Sequence, residues 1–286
     1  MSEAGELRVP VLPSGTRRKL VHGGFIAIAF LYVGILVIAP LIGIAWAAFS
    51  AGWSTIVSTL KQPDVLHAFY LTGVITVITV IVTSVFGVIV ALVIARDRFP
   101  GRALMSALVD LPLAVSPVIV GLMAVVLFGL GGWFEPWFTS HGIRILFAVP
   151  SMVIVTIFIS IPFVIREVVP LLEELGMEEE QAAWTLGASR LQTFFRITLP
   201  NIRWGLFYGM ALSAARAIGE VGAVLVVSGQ VQGRTETATL YILRAFDQYQ
   251  AERGYVVALT LAAFSIVLLI GIEAFKRRSL KRAGQE

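Results

Sequence analysis

Charged residues occur along the chain in clusters that are separated by long apolar stretches. Four of these stretches, residues 20–60, 65–95, 145–165 and 254–272, contain no formal charge. An α-helix rises about 1.5 Å per residue, so roughly 20 apolar residues are enough to cross the hydrocarbon core of a bilayer. The pattern therefore predicts an all-α integral membrane protein.

The apolar segments predict six transmembrane helices, over residues 20–49, 67–95, 102–130, 145–165, 204–228 and 254–275. A basic triplet precedes the first segment, as in a signal peptide, but about 25 apolar residues exceed the roughly 7–15 of a signal-peptide core. We therefore expect a retained helix. The expected division is a tail over 1–19, the first helix and an external loop over 20–65, a transmembrane domain over 66–275 and a basic tail over 276–286.

Composition and charge support this assignment. Of 286 residues, 57% are hydrophobic and 14% charged, against roughly 25% charged in an ordinary soluble domain. The net charge of +4 does not indicate a nucleic-acid partner, because the basic residues flank the apolar segments, where lipid head groups account for them. Membrane lipid is the expected partner of this surface.

The basic residues also predict the orientation of the spans. With six spans and a cytoplasmic N-terminus, 16 of the 22 lysines and arginines lie on the cytoplasmic side and 5 on the external side, with Arg216 inside a span. The positive-inside rule then places both termini, and the long loop before the fifth span, in the cytoplasm.

Several kinds of chemistry have no support in the sequence. The chain has no cysteine, and its three histidines lack the spacing of metal ligands. It contains neither a G-x-x-x-x-G-K-[ST] phosphate-binding loop nor a nucleophile-elbow sequence. We therefore expect no catalytic residue, no metal, no cofactor and no ATP site in this chain, and a membrane-bound enzyme is disfavoured.

The cytoplasmic loop of residues 177–200 has the pattern of two short helices and a turn. The glutamates at 178–180 suit a first helical turn, where carboxylates complement the positive end of the helix dipole. Gly187 is placed to end that helix in a left-handed conformation. Ser189 and Gln192 have the spacing of a capping box, which predicts the start of a second helix.

Two functions are compatible with this loop. One is a solvated linker that forms a helical hairpin. The other is a docking site for a cytoplasmic protein. Leu191, Phe194 and Phe195 would give a small helix an apolar face, which needs a partner, either the membrane surface or another protein.

The same loop resembles the EAA loop of the membrane subunits of ABC importers. The matching residues are Gln181, Ala182, Ala183, Gly187, Ala188, Phe195, Leu199 and Pro200. In that family the loop forms the coupling helices that enter a cleft on the ATPase subunit, so the resemblance implies a docking role for these residues. The family pattern begins with a glutamate, where this chain has Gln181 preceded by Glu180.

Other segments resemble one branch of these importers, the sulfate/thiosulfate and molybdate permeases. They are residues 99–102, 110–117, 161–167 and 215–223, and details at 116–118, 199–204 and 227–229 favour the CysW type of sulfate/thiosulfate permease. The resemblance implies the type I, MetI-like ABC importer architecture, with six transmembrane helices, both termini cytoplasmic, and a bacterial inner-membrane location. It also implies import of sulfate or thiosulfate by alternating access, coupled through loop 177–200 to a separate ATPase.

The partners implied by this resemblance are a sister permease of the CysT type in a heterodimer, two copies of an ABC ATPase subunit and an extracytoplasmic sulfate-binding protein. A molybdate or tungstate permease acting as a homodimer is the alternative within the class. An ATP-independent secondary transporter or channel is the alternative outside it, and it leaves the loop without a purpose.

Four polar residues inside apolar segments are candidates for the translocation path or its gate. Arg216 lies about 18 Å into the fifth span, near mid-membrane, where an unpaired charge is expensive. Glu220 follows four residues later and is expected to pair with it, either lining the path or fixing helix packing. Asp110 and Ser116 lie beside two prolines, so they mark either irregular backbone along the path or a packing kink.

Overall fold

The computed structural model describes residues 15–283, with side chains described for residues 23–271, and this part of the chain contains helices and no strands. The predicted all-α class is confirmed there, while most of the tail predicted over 1–19 lies outside the described residues. The helices are α1 (Gly15–Ser50), α2 (Trp53–Leu60), α3 (Pro63–Arg96), α4 (Arg102–Ala114), α5 (Pro117–Phe128), α6 (Glu135–Ser140), α7 (Val149–Leu175), α8 (Glu178–Thr185), α9 (Arg190–Thr193), α10 (Leu199–Ile218), α11 (Gly222–Val227), α12 (Ala238–Asp247) and α13 (Ala251–Ala283).

Four helices among the described residues are long and apolar enough to cross a membrane. They are Gly23–Ser50 within α1, α3, α7, and Ala251–Gly271 within α13. α4 and α5 form a fifth candidate that is bent by 110° at the break between them. The remaining predicted span, 204–228, falls on α10 and α11; Arg216 makes this segment less apolar, and residues 219–221 interrupt it.

The two interruptions have a local cause and lie against each other. Val115 is extended, and Ser116 is non-helical because Pro117, the first residue of α5, disfavours a helical conformation in the residue before it. A Cβ atom placed at Gly222, where α11 begins, would lie 3.0 Å from the Cβ of Pro117. The break before α5 and the break before α11 therefore occupy one layer of the bundle.

Glycines bring α3, α7 and α10 into close contact at the centre. A Cβ placed at Gly87 of α3 would lie 2.7 Å from a methyl group of Val164 in α7, and one placed at Gly209 of α10 would lie 2.9 Å from the Cα of the same residue. Small residues permit this approach of backbones, which membrane helices use in place of a hydrophobic driving force. The three helices form the central packing unit of the fold.

α12 lies between the last two predicted spans, where no helix was predicted. Its apolar face, Ala238, Tyr241 and Ala245, packs against Val65 of α3 and neighbouring residues. Arg244 of the same helix donates two hydrogen bonds, of 2.6 and 2.9 Å, to the buried carboxylate of Glu236. The hydrogen bonds to Glu236 raise the pKa of the Arg244 guanidinium.

Replacing Gly209 by alanine tests the close packing of α10 on α7. The added Cβ would overlap the backbone of Val164, so the helices must separate, and we expect a loss of about 1–3 kcal/mol in stability. Gly73→Ala is the matched control, because no atom lies within 4 Å of its Cβ position, and it should be neutral or stabilising by up to about 1 kcal/mol. Thermal unfolding of the two purified variants in detergent measures the difference; equal midpoints would contradict the packing argument.

Candidate docking loop and translocation path

α8 begins with the three glutamates and ends at a left-handed glycine, and both predictions are confirmed. Gly187 has φ +87°. The Ala188 N–H donates to the Ala183 carbonyl and the Gly187 N–H to the Trp184 carbonyl, both at 3.0 Å. These bonds form a Schellman motif, which satisfies carbonyl groups at the end of the helix and fixes the direction of the chain after it.

The second helix of the loop begins at the predicted capping box. The Ser189 hydroxyl accepts the Gln192 N–H at 3.3 Å, and the Gln192 side chain accepts the Ser189 N–H at 2.9 Å. α9 is short, as predicted, with four residues, but the helical conformation does not end there. α9 continues through a π-turn, Phe194–Thr198, into α10. The wider turn lies just before Pro200 and accommodates its missing N–H and its ring, so the loop is continuous with a core helix.

The outer face of the loop is apolar and exposed. Leu186 is 88% exposed, Leu191 71% and Phe195 61%. Phe194, by contrast, packs inward on the cluster formed by α3, α7 and α10. Large apolar side chains that are grouped on an exposed loop mark a surface that another molecule covers.

The eight candidate docking residues differ in exposure. Ala183, Ala188 and Leu199 are partly buried. The other five are exposed: Gln181, Ala182, Gly187, Phe195 and Pro200. The exposed members flank Leu186 and Leu191, and together they form the outer face. Leu191 belongs to the predicted apolar face, whereas Leu186 was not among the predicted docking residues. The sequence contained a sign of this apolar surface, because apolar residues lie on both sides of the turn at Gly187.

The inner face of the loop is charged and buried. Glu180 is 7% exposed, and its Oε1 accepts hydrogen bonds from Arg96 at 3.0 Å and from the Thr198 hydroxyl at 2.8 Å. Arg96 also donates to the Leu172 carbonyl at 2.8 Å. Sequence spacing gave no sign of this contact, because 84 residues separate Arg96 from Glu180.

Arg216 and Glu220 form the predicted ion pair, with 2.5 Å between Nη1 and Oε2, but they do so across the end of a helix. α10 ends at Ile218, and Glu220 lies in the following break with its side chain only 2% exposed. Its Oε1 accepts the Ala223 N–H of α11 at 2.8 Å, and its carbonyl accepts the Thr239 hydroxyl of α12 at 2.8 Å. Glu220 therefore links three helices where the backbone ladder is interrupted.

The other two path candidates have different surroundings. Asp110 of α4 pairs with Arg166 of α7, with 2.8 Å between Oδ1 and Nε, and both side chains are about half exposed. Ser116 is exposed at the break before α5, and its hydroxyl makes no capping hydrogen bond there. Ser116 and Glu220 thus lie at the two breaks that touch, while Asp110 and Arg216 belong to separate ion pairs.

Buried hydroxyl groups lie on the three helices of the central packing unit, and no role was predicted for them. Thr79, Thr83, Ser160 and Ser213 are each 0% exposed, and the hydroxyls of Thr83 and Ser213 are 3.0 Å apart. Spacing could have revealed the α3 part, because its buried threonines recur every three or four residues on one helix face: Thr72, Thr76, Thr79 and Thr83. Within the described part of the chain, no group of histidines and carboxylates could hold a metal ion.

The family model for the binding-protein-dependent transport system inner membrane component matches residues 84–281. The chain belongs to this family. The matched region contains the candidate docking loop, both helix breaks and all four candidate path residues.

Individual relatives within this family are sulfate permeases. The chain is 45% identical over 254 residues to the sulfate transport system permease protein CysW of Synechocystis, covering 89% of this chain and 92% of that protein. It is 43% identical over 244 residues to the CysW protein of Escherichia coli K12, covering 85% and 84%. Identity to the CysT protein of the same organism is 34% over 254 residues, covering 89% and 92%.

The fold of this inner membrane component is shared with a solved transporter. A chain in the crystal structure of a bacterial ABC transporter that imports the acidic polysaccharide alginate superposes with a TM-score of 0.76, over 92% of this chain and 96% of that chain. The sequence identity is 18%, so the likeness concerns the fold. The predicted ABC importer permease architecture is confirmed at that level.

Replacing Glu220 by alanine tests its linking role. The change leaves Arg216 without its buried partner and removes the acceptor for the Ala223 N–H, so we expect a loss of about 3 kcal/mol in stability. The double variant Arg216→Met with Glu220→Gln removes both charges and keeps an acceptor, and it should recover part of this loss. Thermal unfolding in detergent provides the comparison; a double variant as unstable as the single one would contradict the charge argument.

Proposed function

We propose that this protein is one membrane subunit of an ATP-driven importer of sulfate and thiosulfate. The observation that carries the proposal is the identity of 43–46% to CysW-type sulfate permeases over 85–89% of the chain. The lower identity to the CysT type, 34%, favours the CysW position beside a CysT-type sister subunit. The relatives named above transport sulfate, which favours this substrate over the molybdate alternative.

The proposed topology has six spans and both termini in the cytoplasm. α10 and α11 together supply the fifth span, although the break at 219–221 and the charge of Arg216 reduce its apolar character. The buried ion pair of Arg216 with Glu220 lowers the free-energy cost of placing an arginine inside the membrane. The excess of basic residues on one side supports the orientation.

The proposed partner of the loop is an ABC ATPase, present in two copies for a pair of permease subunits. The apolar outer face of the loop supports this role, since no described part of the chain covers it, and the proposed topology puts it in the cytoplasm, where ATP is available. An extracytoplasmic sulfate-binding protein completes the proposed complex; a structure of the alginate importer includes a periplasmic protein bound to its ligand.

The proposed cycle alternates between outward and inward openings. ATP binding closes the ATPase dimer and moves the loop, and the continuous helix from α9 to α10 carries this movement into the core. We place the gate at the two touching breaks, with Ser116 and Glu220 at the gate and Asp110 and Arg216 in the adjoining ion pairs. Glu220 neutralises Arg216, so the pair supports the shape of the gate rather than attracting a dianion.

Sulfate uptake tests the substrate and the loop together. Cells that lack this gene should recover uptake of radiolabelled sulfate with the native chain, and excess thiosulfate should compete more strongly than molybdate. The Gly187→Trp variant should abolish uptake and release the ATPase during purification, because a bulky side chain on the outer face at φ +87° blocks the close approach of a partner.

The matched control is Gly131→Trp, which places the same side chain at a left-handed glycine with no atom within 4 Å, on the proposed external side. It should retain the ATPase on purification. Loss of the ATPase in both variants would attribute the effect to misfolding, and normal uptake by the Gly187→Trp variant would contradict the docking role. Failure of the native chain to restore sulfate uptake would contradict the proposed substrate.

Cysteine labelling tests the topology, since the native chain has no cysteine. Gln232→Cys, after α11, should react with a membrane-impermeant thiol reagent in intact spheroplasts. Arg190→Cys, at the start of α9, should react only after the membrane is permeabilised. Equal labelling of both in intact spheroplasts would contradict a membrane crossing by α10 and α11.

A further inference from the structure

Adjacent residues of α8 face opposite directions at the start of the loop. Gln181, which occupies the first position of the docking pattern, is exposed, whereas Glu180 is 7% exposed. Glu180 therefore does not supply a carboxylate to the outer face in place of the glutamate that the family pattern has. Its carboxylate is used inside the protein.

The carboxylate of Glu180 connects four separate parts of the fold. It accepts a hydrogen bond from Arg96, the last residue of α3, at 3.0 Å, and one from Thr198, the last residue of the π-turn, at 2.8 Å. Arg96 in turn donates to the carbonyl of Leu172 near the end of α7 at 2.8 Å. One acidic group on the loop is thus joined to α3, to α7 and to the helix that continues into α10.

Burial makes this connection costly to open. The side chains of Arg96 and Glu180 are 12% and 10% exposed, so water cannot readily replace either partner. Breaking a buried ion pair leaves an uncompensated charge, whereas opening an exposed pair changes the free energy little. The same face of the bundle offers an exposed pair for comparison, Arg102 with Glu173, whose side chains are 40% and 49% exposed.

The helix ends hold the carboxylate in place. The Schellman motif at Gly187 and the capping box at Ser189 fix the turn between α8 and α9. α8 therefore keeps its position relative to the π-turn that carries Thr198. A force on the outer face of the loop reaches Glu180 through short, hydrogen-bonded segments.

We propose that the ion pair of Arg96 and Glu180 is the joint that passes movement of the docking loop to α3 and α7 during transport. The inference rests on the proposed function, since it assigns the loop to an ATPase. Arg96 and Glu180 are positioning residues: they contact neither ATP nor the transported anion, and they determine whether displacement of the loop displaces the central packing unit. The joint stays closed throughout the cycle. α10 moves with α3 and α7 because the Glu180 carboxylate binds Arg96 of α3 and Thr198 before α10, and Arg96 binds the Leu172 carbonyl of α7.

The first test separates coupling from assembly in the complete complex. Glu180→Ala should lower sulfate uptake about tenfold while the ATPase remains bound and continues to hydrolyse ATP, so the ATP consumed per sulfate rises about tenfold. Glu173→Ala, which breaks the exposed pair, should change both quantities less than about twofold. A purely structural role would lower the amount of complex and leave the ratio of ATP to sulfate unchanged, and that result would overturn the proposal.

A covalent link in place of the ion pair tests the joint even if the alanine variant assembles poorly. In the double variant Arg96→Cys with Glu180→Cys, a short bis-methanethiosulfonate linker can join the two positions, because the chain has no other cysteine. Uptake should be low before linking, rise at least about fivefold on linking and fall again on reduction. The native complex treated with the same linker controls for cysteines in the partner subunits.

The outcomes distinguish this inference from the function on which it rests. If the native complex imports sulfate and Glu180→Ala imports it with a normal ratio of ATP to sulfate, the proposed role of the ion pair is wrong and the transporter assignment stands. If linking leaves the double-cysteine variant inactive, the joint does not stay closed during the cycle and the proposal is wrong. If the native complex itself fails to import sulfate, the proposed function is wrong.

Discussion

Lipid as a solvent is the constraint on which the rest of this structure depends. Apolar side chains gain little by leaving lipid for a helix interface, so close backbone contact and buried hydrogen bonds must hold the helices together. Gly87 and Gly209 provide the contact around Val164, and the hydroxyls of Thr83 and Ser213 provide a hydrogen bond across two helices. Helices packed in this way cannot shift gradually against each other without losing these contacts. We therefore expect α3, α7 and α10 to move as one body.

The same constraint explains how the helix breaks are tolerated. Interrupted backbone in a membrane must find hydrogen-bond partners within the protein. At the break before α11, the Glu220 carboxylate accepts the Ala223 N–H, and the Thr239 hydroxyl donates to the Glu220 carbonyl. α12 thereby supplies a hydrogen-bond donor that the break needs, which gives a reason for a helix between the last two spans. This break touches the one before α5, where Gly222 lies against Pro117.

Much of the fold was predictable from sequence, because charge-free stretches indicate contact with lipid and local motifs indicate where helices end. Gly187 and the capping box at Ser189 were predicted correctly for that reason. The break after α10 was not, since apolar residues resume directly after it and Arg216 with Glu220 fits an i, i+4 pair on one helix. The pairs of Arg96 with Glu180 and of Asp110 with Arg166 join residues 84 and 56 positions apart, and no local periodicity encodes such contacts. Short amphipathic helices such as α12 were missed because their partners, rather than their own propensity, stabilise them.

The loop combines two kinds of contact that perform different tasks. In the proposed complex, its outer face offers Leu186 and Leu191 for non-directional apolar contacts with the ATPase, which favour binding but transmit force poorly along any one direction. Its inner face offers Glu180, whose hydrogen bonds have fixed length and direction. Gln181 leaves the outer face uncharged next to this buried acid. Because the inner bonds are the stiffer set, displacement of the loop should deform the outer contact before it separates the loop from the central helices.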